Sequence, residues 1–158
     1  MKLLGAVLIF AAAAAAFIRH IADQRRYIKQ LNAVASSLEL LESILRWKKI
    51  PAAKALASLT GRADCGDAYA KILKSLKSNN TLQSAWNNGF TDMPQEICAV
   101  TSQVEWQGDE KKILLSLHGA AAELRRLGEE QRRTMGQRRR LIGAAALCGA
   151  ALLVIVLA

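Results

Sequence analysis

The order of apolar and polar residues predicts a long helix early in the chain. Between residues 27 and 45, apolar side chains recur every three or four positions, at Tyr27, Leu31, Val34, Leu38, Leu41 and Leu45. That spacing places them along one face of an α-helix, because successive turns bring such positions together. The stretch is therefore predicted to be an amphipathic helix with one buried face.

The following residues predict four short helices and a second long one. Helix starts are predicted at Pro51, at Asp67, at Thr81, at Asp92 with Gln95 as a capping box, and at Asp109. Breaks are predicted at Thr60 and Gly61, at residues 78–80, at Gly89 and at Gly108. The inward positions of the later helices are expected to be Tyr69, Ile72, Leu73, Leu76, Ile97, Val100, Val104, Ile113, Leu117, Ala121 and Leu124. No stretch alternates strictly, so the predicted fold is all-α, an antiparallel bundle of about six helices.

Both ends of the chain are strongly apolar. Residues 141–158 form an 18-residue apolar run, about 27 Å as a helix and close to the roughly 30 Å hydrocarbon thickness of a bilayer. Residues 3–18 form a second run of 16, about 24 Å long. We therefore predict a transmembrane helix within residues 1–22, a helical-bundle domain over 23–137 and a second transmembrane helix within 138–158.

The charge distribution predicts how these segments lie in the membrane. The chain has 22 basic and 13 acidic residues, a net charge of +9. Much of the basic excess flanks the apolar runs, at Arg19, Arg25, Arg26, Arg132, Arg133, Arg138, Arg139 and Arg140. Such flanks stay in the cytoplasm and contact anionic lipids. The bundle is therefore expected to be cytoplasmic, with both termini on the far side of the cell membrane, and no nucleic-acid motif accompanies the charge.

A cleaved signal peptide is the alternative for the first segment. Six alanines at residues 11–16 offer cleavage sites. A single lysine precedes the segment and the basic residues follow it, which opposes export of the following domain. If cleavage occurs, the protein is a secreted or periplasmic helical binding module with an anchor at its C-terminal end.

The sequence offers no recognisable catalytic chemistry. Three widely spaced cysteines and two isolated histidines form neither a disulfide framework nor a metal-binding cluster. A phosphate-binding glycine loop and a nucleophile with a neighbouring base are both absent from the sequence. We therefore expect a protein without enzymatic activity, metal, cofactor or small-molecule substrate, which acts by binding other proteins.

A few residues are candidates for that binding. Glu39 and Glu42 are neighbours on the first long helix, where like charges are unfavourable unless a basic partner meets them. The two alternatives are a solvated helix face and docking to a basic patch of a partner protein. Trp47 and Trp106 lie near helix ends, so a docking role competes there with the packing that we expect, and Trp47 is the candidate docking residue; Trp86 is expected to pack in the core. Ala145 and Gly149, four residues apart, would permit close packing of transmembrane helices and a homo-oligomer.

Several segments together resemble the stage III sporulation protein AB family. They are "KLLGAVLIF", "QLNAVASSLELLESILRWKKIPAAKAL", "TLQSAWNNGF" and the basic stretch that leads into "RRRLIGAAALCGAALLVIVLA". The resemblance implies a fold similar to the cytoplasmic domain of type II secretion system F proteins. It also implies a place in the mother cell membrane, in the channel complex that links mother cell and forespore. The implied partners are a secretion-type ATPase and the other channel subunits.

Overall fold

The computed structural model describes the backbone of residues 2–157 and the side chains of Ala15 and of residues 18–137. Its helices are α1 (Lys2–Lys48), α2 (Ala52–Ala57), α3 (Gly66–Lys77), α4 (Leu82–Gly89), α5 (Gln95–Thr101) and α6 (Glu110–Leu157). The described backbone contains no strand. The prediction of an all-α protein with six helices, two long and four short, is confirmed.

The two long helices pack against each other in opposite directions. In the second half of α1, Asn32 lies against Gly128 of α6. Farther along, Glu39 bonds to Arg125 and Glu42 to His118. Residue numbers in α6 thus fall as those in α1 rise, which defines an antiparallel pair.

The core is built on the predicted apolar faces. Leu31, Val34, Leu38 and Leu41 of α1 are fully buried, as are Leu117 and Leu124 of α6. The flanking positions Tyr27, Leu45 and Ile113 are half-buried and pack against them. Burial of these faces is the main stabilising contribution, since each fully buried side chain of this kind contributes about 1.5–3 kcal/mol.

Aromatic residues of the short helices fill the other half of the core. Tyr69, Trp86 and Phe90 are buried, with ring centroids 5.0–6.3 Å apart. The Trp86 indole N–H donates to the carbonyl of Thr101 at 2.9 Å, and the Tyr69 hydroxyl shares a 2.5 Å hydrogen bond with Ser37 of α1. The expected packing role of Trp86 is confirmed.

Two of the predicted helix starts are wrong. Helix α3 begins at Gly66, so Asp67 lies inside the first turn and does not cap it. The reason is a close approach: a Cβ at position 66 would overlap the Thr60 carbonyl oxygen, so the absence of a side chain permits the helix to begin there. Asp92 does not cap α5 either, because it pairs with Lys71 of α3 and Pro94 precedes the helix instead.

The other predicted boundaries are closer to the structure. Thr81 caps α4 through a hydrogen bond from the Ser84 amide, and α6 starts directly after Asp109. Pro51 lies just before α2 and outside its first turn. Helix α5 ends at Thr101, so Val104 is buried beyond the helix and not within it.

Among the residues whose side chains are described, no helix holds a stretch long and apolar enough to cross a membrane. The predicted transmembrane helices depend on residues 3–18 and 141–158, nearly all of which lie outside that part. The same applies to Arg138, Arg139, Arg140, Ala145 and Gly149. What the structure adds is that α1 and α6 are continuous helices into both regions.

Candidate interaction surfaces

Glu39 lies on α1 where that helix meets α6. Its two carboxylate oxygens accept hydrogen bonds from Arg125, from Nε at 2.6 Å and from Nη2 at 2.7 Å. The Arg125 guanidinium thereby lowers the pKa of the Glu39 carboxyl. Each side chain is nearly half exposed, so the pair contributes about 0.2–1 kcal/mol.

Glu42 is more deeply placed, with only 8% of the residue exposed. One of its oxygens accepts from Arg46 Nη2 at 2.6 Å, and the other lies 3.2 Å from Nδ1 of His118 on α6. Both predicted partner-binding carboxylates therefore have partners within the chain. Their docking to an outside protein stays a prediction.

The end of the bundle farthest from both termini exposes large apolar side chains. We call it the distal end and define it as residues 45–52 and 106–115. Trp47 is 79% exposed there and Leu115 is 72% exposed. Lys49, directly after α1, has a positive φ of 45°, a left-handed conformation that glycine adopts at much lower cost.

An apolar groove of 420 Å³ opens at the distal end. Its lining includes Leu45, Ile50, Leu82, Trp106 and Leu114. Trp106 is itself 8% exposed, and its indole Nε1 is buried without an acceptor among the described atoms. A buried donor left unpaired costs about 1–3 kcal/mol, so this one calls for an explanation.

The opposite end of the bundle carries arginines. Arg19, Arg25 and Arg26 are exposed on α1, and Arg132 and Arg133 are exposed on α6. Continuing the register set by Asn32 and Gly128 brings Arg25 and Arg26 to within one helical turn of Arg132 and Arg133. The two predicted basic flanks thus lie level with one another, at the end from which both long helices continue toward the termini.

A second, larger groove of 910 Å³ lies between α1 and the α2–α3 connection. The Cys65 thiol donates to the Ala33 carbonyl at 3.8 Å, which holds this connection against α1. The charged residues that line the groove are Arg26, Arg62, Asp64, Asp67, Lys71, Lys74 and Asp92. Their charges largely offset each other, and Lys71 is already paired with Asp92.

Cys65 has the environment of a packing residue and not that of a reactive thiol. Cys65 is buried, and desolvation raises the pKa of its thiol, which disfavours the reactive thiolate. Within the described residues, no group of three or more histidine, cysteine or acidic side chains is arranged to hold a metal ion.

The structure reveals residues that the sequence pattern did not single out. Arg125 and His118 pair with Glu39 and Glu42 across the α1–α6 contact, and no local signal marks them because the pairs join residues 86 and 76 positions apart. The exposure of Leu115 could have been predicted from the sequence. This apolar residue lies between the inward positions Ile113 and Leu117, and the helical period places it off the buried face.

These features define a class of protein, a helical bundle built on two long antiparallel helices, with arginines on both helices at the end from which they continue toward the termini. A family model for stage III sporulation protein AB matches residues 2–158. The chain belongs to the stage III sporulation protein AB family, as the sequence resemblance suggested, and is a sporulation protein. No curated protein and no solved structure gives a significant match.

Proposed function

We propose that the protein is a membrane-anchored structural and adaptor subunit of the sporulation channel complex between mother cell and forespore. In this role it docks a secretion-type ATPase to the membrane-embedded subunits. The observation that carries the proposal is the antiparallel pairing of α1 and α6. That pairing directs both apolar termini to one end of the bundle and leaves the distal end for a partner.

The arginines support the proposed orientation. Arg25 and Arg26 lie level with Arg132 and Arg133, so both helices present basic residues where a bilayer surface would lie. Each basic residue near an anionic surface contributes about 1 kcal/mol. We place the bundle on the cytoplasmic side of the mother cell membrane, with both termini across it.

The proposed role needs no chemistry from the protein itself. The two carboxylates that the sequence made candidates, Glu39 and Glu42, are engaged in holding α1 against α6. We accordingly propose an adaptor without enzymatic activity or cofactor. Similarity of the fold to type II secretion system F proteins is part of the same proposal and comes from the family resemblance.

Membrane fractionation of sporulating host cells tests the adaptor role. In cells that produce the full-length chain, we expect the secretion-type ATPase in the membrane fraction. Without the chain it should move to the soluble fraction, and it should return when the chain is restored. An ATPase that stays with the membrane in cells lacking the chain would contradict the proposal.

The orientation has its own test. Cys65 is too buried for labelling, whereas Ser102 is exposed, so a Ser102→Cys variant reports the side on which the bundle lies. A membrane-impermeant thiol reagent should label it only after the cells are opened. Labelling of intact cells, together with an intact mass that lacks the first segment, would instead support the secreted or periplasmic module with a cleaved signal peptide.

A further inference from the structure

We infer that the distal end is a docking surface for an acidic segment of a partner protein that carries apolar side chains. This inference rests on the proposed adaptor function and identifies where and how the partner binds. It differs from the docking predicted at Glu39 and Glu42, which would require a basic partner. Apolar exposure, an unpaired donor and charge point to it separately.

Exposed apolar side chains are concentrated at the distal end. Within residues 18–137, three large apolar side chains are strongly exposed, and two of them, Trp47 and Leu115, lie there. The third, Ile18, lies at the end where membrane insertion is predicted. Tryptophan is among the residues enriched in those that dominate binding energy, so the exposed Trp47 is a suitable anchor for a partner.

The groove of Leu45, Ile50, Leu82, Trp106 and Leu114 adds a concave apolar surface at the same end of the bundle. Trp106 brings an indole N–H without an acceptor among the described atoms. A small shift of this ring on binding would let the N–H donate to a backbone carbonyl of the incoming segment. The groove therefore suits a polypeptide, which supplies both an apolar side chain and a carbonyl oxygen.

The charge of the distal end favours an acidic partner. Residues 45–52 and 106–115 contain two acidic residues, Asp109 and Glu110, and five basic ones, a net charge of +3. Of the basic residues, Lys48, Lys49 and Lys111 form no ion pair within the described part of the chain. Free lysines around an apolar surface favour an acidic partner through charge complementarity. A second copy of this chain would bring the same lysines against them.

Distance separates this surface from the membrane that the termini are predicted to enter. Arg26 and Lys48 are 22 residues apart on the continuous helix α1, about 33 Å along its axis. The predicted anchors thus hold the distal end away from that bilayer. Lipid is therefore not the expected occupant of the groove.

Site-specific photo-crosslinking in sporulating host cells tests the inference. A benzoylphenylalanine residue replaces Trp47 or Leu115 in the full-length chain, and Ala122, exposed on α6 seven residues after Leu115, serves as the matched control. We expect adducts at 47 and 115 and none at 122. Mass spectrometry should show that the crosslinked peptide comes from another protein, is net negative and contains apolar residues.

A charge-reversal pair sharpens the test. Lys48→Glu with Lys49→Glu should lower the adduct yield at position 115 about tenfold. The same change at Lys74 and Lys77, exposed on α3, should leave the yield unchanged. Unaltered thermal unfolding of both double variants confirms that the bundle remains folded.

Several results would overturn the inference. They are adducts with lipid, nucleic acid or a second copy of the chain, a crosslinked peptide without net negative charge, and yields at 47 and 115 no higher than at 122. If one of these occurs while the ATPase still requires the chain for membrane attachment, the adaptor role remains and only the distal-end site fails. If the ATPase does not require the chain, the proposed function itself fails.

Discussion

Arg125 of α6 binds both carboxylate oxygens of Glu39 on α1, 86 residues earlier in the chain. Two parallel hydrogen bonds fix the planar guanidinium against the planar carboxylate, so the contact sets geometry as well as energy. Because it joins the two long helices directly, it helps to fix the register on which the relative height of the two arginine flanks depends.

This contact predicts a pH-dependent contribution to stability. The pKa of Glu39 is lowered in the folded protein. Its contribution is thus present in full above the ordinary carboxyl pKa of about 4.5 and is lost as the pH falls through the lower folded-state value. Glu39→Gln should therefore lower the free energy of unfolding by about 0.2–1 kcal/mol at pH 7 and by nothing at strongly acidic pH.

Denaturant unfolding of the full-length chain in detergent, at pH 7 and in acid, measures this difference. Asp23→Asn removes an exposed carboxylate that forms no ion pair among the described residues and serves as control. A deficit of the Glu39 variant that persisted unchanged in acid would contradict the prediction.

Glu42 predicts a different response, because its carboxylate is largely buried between Arg46 and His118. Replacing both partners by alanine leaves that carboxylate without a counter-charge and should cost about 1–3 kcal/mol. Adding Glu42→Leu to this double variant should recover most of the loss, since an apolar side chain needs no ionic partner. Thermal or urea unfolding distinguishes the two outcomes, and a triple variant as unstable as the double one would count against this account.

The tryptophans predict a contrast between packing and exposure. Trp86 is fully buried against Phe90 and Trp106, so Trp86→Ala should lower the free energy of unfolding by about 3–5 kcal/mol. Trp47 is exposed, and Trp47→Ala should change it by less than about 0.5 kcal/mol. Urea titration of both variants measures the difference, and similar losses would show that Trp47 also supports the fold.

Gly89 and Gly119 form a matched pair of helical glycines. A Cβ at position 89 would overlap Ile72 Cγ1 and lie 3.0 Å from the Ala68 carbonyl oxygen, whereas one at position 119 meets nothing within 4 Å. Gly89→Ala should therefore destabilise the protein by about 1–3 kcal/mol. Gly119→Ala should stabilise it by about 0.5–1 kcal/mol through helix propensity. The melting temperatures should move in opposite directions, and a shift of the same sign in both would refute the packing argument at Gly89.

The elements that the sequence predicted well are those set by local rules. The buried face formed by Leu31, Val34, Leu38 and Leu41 follows from the helical period of about 3.6 residues. Thr81 caps α4 by accepting a hydrogen bond from the amide of Ser84, three residues later. Local rules failed where a distant contact competed. Asp92 has the spacing of a cap but is paired with Lys71, 21 residues earlier.

The interaction surfaces were predictable only in part. Position near a helix end left exposure and packing open for both Trp47 and Trp106, and the structure exposes Trp47 but buries Trp106. The partners of Glu39 and Glu42 could not be predicted, because they depend on how far α6 slides along α1, and no short-range pattern encodes that offset. The groove at Trp106 is lined by residues of α1, α4 and α6. It could not be predicted either, because it depends on how these distant helices pack together.

The continuity of α1 and α6 has a mechanical consequence. Helix α1 is 47 residues long, about 70 Å, and it runs from the surroundings of Trp47 to the first apolar segment as one rod. Helix α6 runs antiparallel beside it, and the ion pairs of Glu39 and Glu42 hold the two helices together. Because both helices are continuous and joined to each other, a tilt of the distal end would be transmitted along α1 and α6 together.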